Sequence, residues 1–166
     1  MRWLGILCLF LTCTGIGMHA ARQLRTRLAH TQKLSALLGD FSTYIRYQCT
    51  PLEELLYQFA EHPNYADFSF LRQVSREFCT EIPPRELWRD AVTADTAVPE
   101  QAAEILCTVG NVLGTTDMEG QLAALELHRR RMDALADELK TISDKKGELY
   151  RRLGVLLGAM LAVMLI

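Results

Sequence analysis

An all-α fold is predicted, a helical bundle built on two long antiparallel helices that continue into hydrophobic helices at the two chain ends. Three observations predict it. Apolar residues recur at helical spacing through nearly all of the interior, no stretch alternates polar and apolar residues over strand length, and hydrophobicity is concentrated at the two ends. The 166 residues suffice for one domain with a real core and not comfortably for two. Apolar residues at 49% and charged residues at 23% place the chain among folded proteins rather than disordered ones, and a net charge of −2 gives no reason to expect nucleic acid as a partner.

The N-terminal stretch Trp3–Met18 holds sixteen residues without a charge. At about 1.5 Å per residue it covers about 24 Å, somewhat short of a ~30 Å hydrocarbon core. Ala20 and Ala21 extend it, and Arg2 and Arg22 can snorkel to the interfaces. Residues 1–21 are therefore read as an N-terminal transmembrane helix. The rival is a cleaved signal peptide, which needs small residues at −3 and −1. Cleavage after Ala20 puts Met18 at −3, and cleavage after Ala21 puts His19 there, so a retained anchor is the better reading. Residues 153–166, LGVLLGAMLAVMLI, are apolar on every side and follow Lys145, Lys146, Arg151 and Arg152. The basic flank and the missing polar face favour a second membrane helix over a short core helix.

Nine basic residues lie on the inner flanks, namely Arg22, Arg25, Arg27, Lys33, Lys140, Lys145, Lys146, Arg151 and Arg152, against Arg2 outside. The positive-inside rule then places residues 22–152 in the cytoplasm as a helical domain, with both termini outside.

Inside that domain, Leu24, Leu28, Leu34, Leu38, Phe41 and Ile45 keep one stripe, so the first helix should run on as an amphipathic helix. Thr50-Pro51-Leu52-Glu53 reads as a helix start, with Thr50 as cap, Pro51 at the first helical position and Glu53 closing a capping box. Leu52, Leu55, Leu56 and Phe59 line the helix, and His62-Pro63-Asn64 breaks it. Phe68, Leu71, Val74 and Phe78 suggest the next helix, ending before Pro83-Pro84. A short helix carries Leu87, Trp88, Ala91 and Val92, with Trp88 read as a core anchor. Pro99 opens another, with Ala102, Ile105, Leu106, Val109 and Leu113 on its face and Gly114 at its end. Asp117 is a plausible N-cap for the last helix, in which Leu122, Leu125, Met132, Leu135, Leu139, Ile142, Leu149 and Leu153 recur in a coiled-coil-like pattern. The short helices are expected to bridge the far ends of the two long ones.

No catalytic motif stands out: there is no glycine-rich dinucleotide or P-loop pattern, no GxSxG and no HExxH. Five cysteines, Cys8, Cys13, Cys49, Cys79 and Cys107, and four scattered histidines have no metal-ligand spacing. Neither catalysis, a cofactor, a metal nor a small-molecule substrate is expected. Glu53 and Glu54 are adjacent and point to different sides of a helix. Arg129-Arg130-Arg131 with His128 forms a positive cluster, read as a solvated helix face or as a contact for an acidic partner or lipid headgroups. Asp117-Met118-Glu119-Gly120-Gln121 looks site-like, although a cap and a small packing residue explain it equally well.

Along essentially its whole length the chain resembles stage III sporulation protein AB of endospore-forming bacteria. The resemblance rests on Tyr47, on Thr50-Pro51-Leu52 followed by Glu54, and on Leu113-Gly114 with Thr116-Asp117 and Glu119-Gly120-Gln121. It also rests on Lys146, Leu149, Tyr150, Leu153-Gly154 and Gly158 before the hydrophobic end; residues 64–104 match in helical character. The resemblance implies a component of a secretion-like channel complex between mother cell and forespore, in the mother-cell membrane facing the forespore. It implies a soluble domain similar to the cytoplasmic domains of the type II secretion platform protein. It further implies other membrane components as partners, and a cytoplasmic secretion-type ATPase encoded in the same operon. Thr50, Pro51, Leu52, Glu54, Gly114, Asp117, Gly120 and Gln121 of this signature, with Arg129, Arg130 and Arg131, are the candidate interface residues. A membrane-anchored helical scaffold or signalling adaptor that oligomerises through its long helices is the alternative.

Overall fold

The computed structural model describes the backbone of residues 2–48, 51–78, 83–113 and 118–164, and the side chains of residues 15, 18–47, 51–78, 83–113 and 118–145. Among the described residues the chain is helical without strands. The order is α1 (Arg2–Gln48), α2 (Leu52–Ala60), a 3-10 turn (Pro63–Tyr65), α3 (Ser69–Glu77), α4 (Pro84–Ala94), α5 (Glu100–Gly110) and α6 (Met118–Met164). The all-α expectation and the two long helices hold.

Two compact units are present, residues 1–28 with 137–166 and residues 29–136. In the first, the backbones of the two hydrophobic ends are helical, and nearly all the side chains of 1–21 and all those of 153–166 lie outside the described residues. Among the described residues no helix is long and apolar enough to cross a membrane.

In the unit of residues 29–136, Leu34, Leu37, Leu38 and Phe41 of α1 are fully buried, the stripe that helical periodicity requires. Two contacts give the register of α1 against α6. The Ser35 hydroxyl donates to Asp133, and the Arg129 side chain lies across Gly39, its Nη1 3.3 Å from where a Cβ would stand. The sequence numbers converge from both sides, so the helices are antiparallel here.

Within this unit the short helices pack along α1, and the end of α5 meets α6 beside Gln121 and Leu125. Phe41 meets Phe59 with ring centroids 4.8 Å apart and Trp88 at 6.4 Å, Tyr44 meets Phe59 at 5.3 Å, and His30 meets Phe68 at 5.6 Å. An aromatic seam therefore runs through this core and ties α1 to α2, α3 and α4, with edge-on and tilted ring contacts of the kind that stabilise beyond simple burial.

Three local readings need correction. Pro51 is the residue before α2 rather than its first residue, and its carbonyl accepts from Leu55 N at 3.0 Å. Thr50, the cap of the expected capping box with Glu53, lies outside the described residues. The α5 helix ends at Gly110, not Gly114. A Cβ at Gly110 would stand 2.3 Å from Trp88 Cδ1, so only glycine lets the indole approach. Its Nε1 then donates to the Leu106 carbonyl at 2.8 Å. Finally, His128 belongs to the buried stripe of α6 and is 4% exposed, alongside Leu125 and Met132.

Candidate functional site

The connector between α4 and α5 holds this core together. Asp95, 6% exposed, accepts from Phe70 N and from Ala97 N, each at 2.9 Å. Phe70 is the second residue of α3, and no side chain of α3's own N-cap residue, Phe68, bonds the first turn. Asp95 thus caps a helix 25 residues away in sequence, satisfying an orphan N–H with negative charge at the positive end of the helix dipole. His30 Nδ1 lies 2.6 Å from the Ala97 carbonyl. A carbonyl only accepts, so this nitrogen carries the proton.

Around this frame lie two further polar links. Tyr65 donates its hydroxyl to Asp40 at 2.5 Å, and burial, aided by that carboxylate, pushes its pKa far above the usual tyrosine range. Lys33 pairs with Asp67, whose carboxyl it holds below the ordinary range by hydrogen bond and charge.

Of the candidate interface residues, Thr50, Gly114 and Asp117 lie outside the described residues. Pro51, Leu52 and Glu54 share the start of α2, where Pro51 and Glu54 are exposed and Leu52 packs against the core. Glu54 stands 3.5 Å from Gln58 one turn on. Gly120 and Gln121 lie in the first turn of α6, both half-buried. Gln121 and His128 line a crevice with Val109 and Leu125, a space too narrow for water. Gln121 of the signature thus has a packing role beside any docking role.

The three arginines do not form one face. Successive helical residues turn by about 100°, so Arg129 to Arg131 fan over about 200°. Arg129 lies half-buried over Gly39, with its Nε 3.4 Å from a Glu126 oxygen, near enough for charge attraction and misaligned for a hydrogen bond. Arg130 pairs with the same Glu126 at 3.2 Å, and Arg131 is exposed. His128 adds no charge to them. Its Nδ1 is buried without a hydrogen-bond partner, and burial, then Arg131 one turn on, lowers its pKa. Glu54 makes no hydrogen bond or ion pair with the arginines among the described residues.

Sequence reasoning missed Asp95 as a structural centre, although an acid two residues before a loop N–H is an Asx-turn signal. It also passed over two same-face pairs, Arg85 with Arg89 on α4 and Glu100 with Glu104 on α5, both at i,i+4. Among the described residues no group of His, Cys, Asp or Glu side chains is arranged to hold a metal ion. The arrangement offers rigid, polar helix faces over a close-packed aromatic core.

No curated protein and no solved structure matches the chain. The family model described as stage III sporulation protein AB matches residues 2–166. With that match over its whole length, carrying a sporulation-related role, the chain belongs to the stage III sporulation protein AB family.

Proposed function

We propose that this chain is a non-enzymatic membrane component of a secretion-like complex of sporulation, and that its helical domain docks a cytoplasmic secretion-type ATPase. In this reading the hydrophobic ends 1–21 and 153–166 anchor it in the mother-cell membrane that faces the forespore, with both termini outside. The nine inner-flank basic residues support that orientation. The domain acts as a platform that receives the motor's motion, beside other membrane components of the channel.

The observation that carries the reading is the surface of the 29–136 unit. Its short helices bury their apolar sides in the aromatic core and turn polar sides outward, among them Glu53, Glu54, Tyr57 and Gln58 on α2. Such a surface suits a contact that is polar, salt-sensitive and made and broken repeatedly, in the size class of transient interfaces.

The test is binding of the purified ATPase to the full chain in detergent at low salt with nucleotide present. Measurable binding, weakened as salt rises, is expected. Absence of binding between two folded proteins refutes the docking reading. Charge reversal at Glu53 with Glu54, and at Arg129 with Arg130 and Arg131, then asks which helix face contributes.

A further inference from the structure

Charge is divided unevenly between the two compact units. Residues 29–136 carry nine Lys and Arg against sixteen Asp and Glu, a net −7. Residues 1–28 and 137–166 carry nine Lys and Arg against four acids, a net +5. The cations of this second unit gather beside its hydrophobic ends. Arg22, Arg25 and Arg27 follow the first end with no acid among them. Residues 140–152, before the second end, hold five cations and two carboxylates, Asp144 and Glu148. Eight cations against two carboxylates leave these two segments at net +6.

The fold brings the two segments together. This unit holds only parts of α1 and α6, and Leu139 and Ser143 of α6 are buried. Each helix crosses the unit's boundary at residue 28 or 137 and ends in an apolar stretch, so the basic segments of both lie on the approach to the apolar tips. Arg22, Arg25, Lys140 and Lys145 are exposed, and among the described residues none of them forms an ion pair. Exposed Asp144 forms none either. At about 1.5 Å per residue, Arg22 to Arg27 rises about 8 Å and Lys145 to Arg152 about 11 Å. Charges so spaced sit at and just beyond a headgroup layer about 5–8 Å deep.

We propose that residues 22–27 and 140–152 form a basic collar that holds the headgroups of anionic phospholipids. This rests on the membrane anchoring proposed above and names the lipid class that the anchored chain selects. The collar runs directly into the apolar ends, which fixes its occupant as the lipid around those ends rather than an acidic protein. Basic residues beside a membrane helix each add about a factor of five in affinity for an anionic surface. The attraction fades over a Debye length of about 8 Å, so the cations nearest the apolar ends contribute most. The same anionic surface repels the 29–136 unit with its net −7, so the collar alone is drawn to the headgroups. Arginine adds geometry to charge, since its guanidinium meets two phosphate oxygens at once. With cations on both helices, a single headgroup can bridge α1 and α6.

The experiment reconstitutes the full chain in phosphatidylcholine vesicles that carry either spin-labelled phosphatidylglycerol or spin-labelled phosphatidylcholine, and compares the fraction of each probe held by the protein. The wild type should hold phosphatidylglycerol about fivefold more tightly or better. The combined variant R22Q/R25Q/K145Q/K146Q should fall to about twofold or less, with circular dichroism as the folding check. R129Q/R130Q/R131Q, outside the collar, should keep the wild-type preference. Equal retention of the two probes by the wild type overturns the collar, whether or not any variant folds. A preference kept by the folded combined variant, or lost equally in R129Q/R130Q/R131Q, overturns it too. Inorganic phosphate that abolishes the preference, where chloride of the same ionic strength does not, marks a site for free phosphate and overturns the lipid assignment. Alkaline carbonate separates the two readings. A chain that it washes off the vesicles refutes the anchoring and the collar with it, whereas a chain that stays without lipid preference loses only the collar.

Discussion

Replacing Asp95 with alanine should destabilise the protein by about 3–4 kcal/mol, a large share of the about 5–15 kcal/mol that holds a domain folded. The magnitude follows from the two bonds. Hydrogen bonds to a charged acceptor contribute about 1.5–3 kcal/mol each, and an unmet buried donor loses its hydration as well. The Phe70 N–H is buried and pays the full loss, whereas the half-buried Ala97 N–H recovers part of it from water. Asp95→Asn keeps one acceptor and turns an NH2 toward the second N–H, so about 1–2 kcal/mol is expected. Urea unfolding of the detergent-solubilised chain, followed by far-ultraviolet circular dichroism, gives the order wild type, Asn, Ala. Amide exchange at Phe70 should accelerate in both variants beyond the general loss of protection. An Ala variant within about 0.5 kcal/mol of wild type, or an Asn variant as unstable as Ala, would show that the carboxylate does not cap α3.

Gly110→Ala should cost about 1–3 kcal/mol, because its Cβ would stand 2.3 Å from Trp88 Cδ1 and the ring must shift; unchanged stability and unchanged tryptophan emission would contradict that packing. The folded pKa of His128 lies below its ordinary 6.5, so the unfolded chain takes the proton first. Its contribution is complete above pH 6.5, falls as the pH drops through that value, and levels off below the folded pKa. His128→Leu should flatten that part of the stability profile, and a slope identical to wild type would mean that the imidazole is not desolvated. For topology, a membrane-impermeant thiol reagent should leave Cys49, Cys79 and Cys107 unlabelled in intact cells and reach them after lysis and denaturation. Labelling before lysis would reverse the proposed orientation.

The helix inventory was legible because each short helix advertises its buried side locally. Leu87, Trp88, Ala91 and Val92 are all buried, as are Leu55, Leu56 and Phe59. What sequence spacing could not give was anything set by a partner far along the chain. Asp95 reads as a loop acid until α3 is placed 25 residues back. The α5 helix ends at Gly110 rather than Gly114, and what requires a glycine at 110 is Trp88, on another helix. His128 sat among three arginines in the sequence and was grouped with them by charge. The fold instead sorts it by periodicity, three residues after Leu125 and four before Met132, into the interior. Leu135, which the same stripe would place inside, is only half-buried, since Ala136 takes the position facing the core. The candidate interface was the least legible part.

The register of α1 against α6 carries a consequence for how the molecule is made. The Ser35–Asp133 bond closes a loop of 98 residues, whereas Trp88 reaches Leu106 across 18. Loop-closure entropy makes the longer closure cost about 1.5 kcal/mol more if attempted alone. Synthesis imposes the same order, since α1 leaves the ribosome first and α6 last. While α6 is still being made, Leu34, Leu37, Leu38 and Phe41 have only the short helices to cover them. The aromatic seam from Phe41 to Phe59 and Trp88 therefore shelters the nascent first helix, and the last helix to emerge completes a core that is already half assembled.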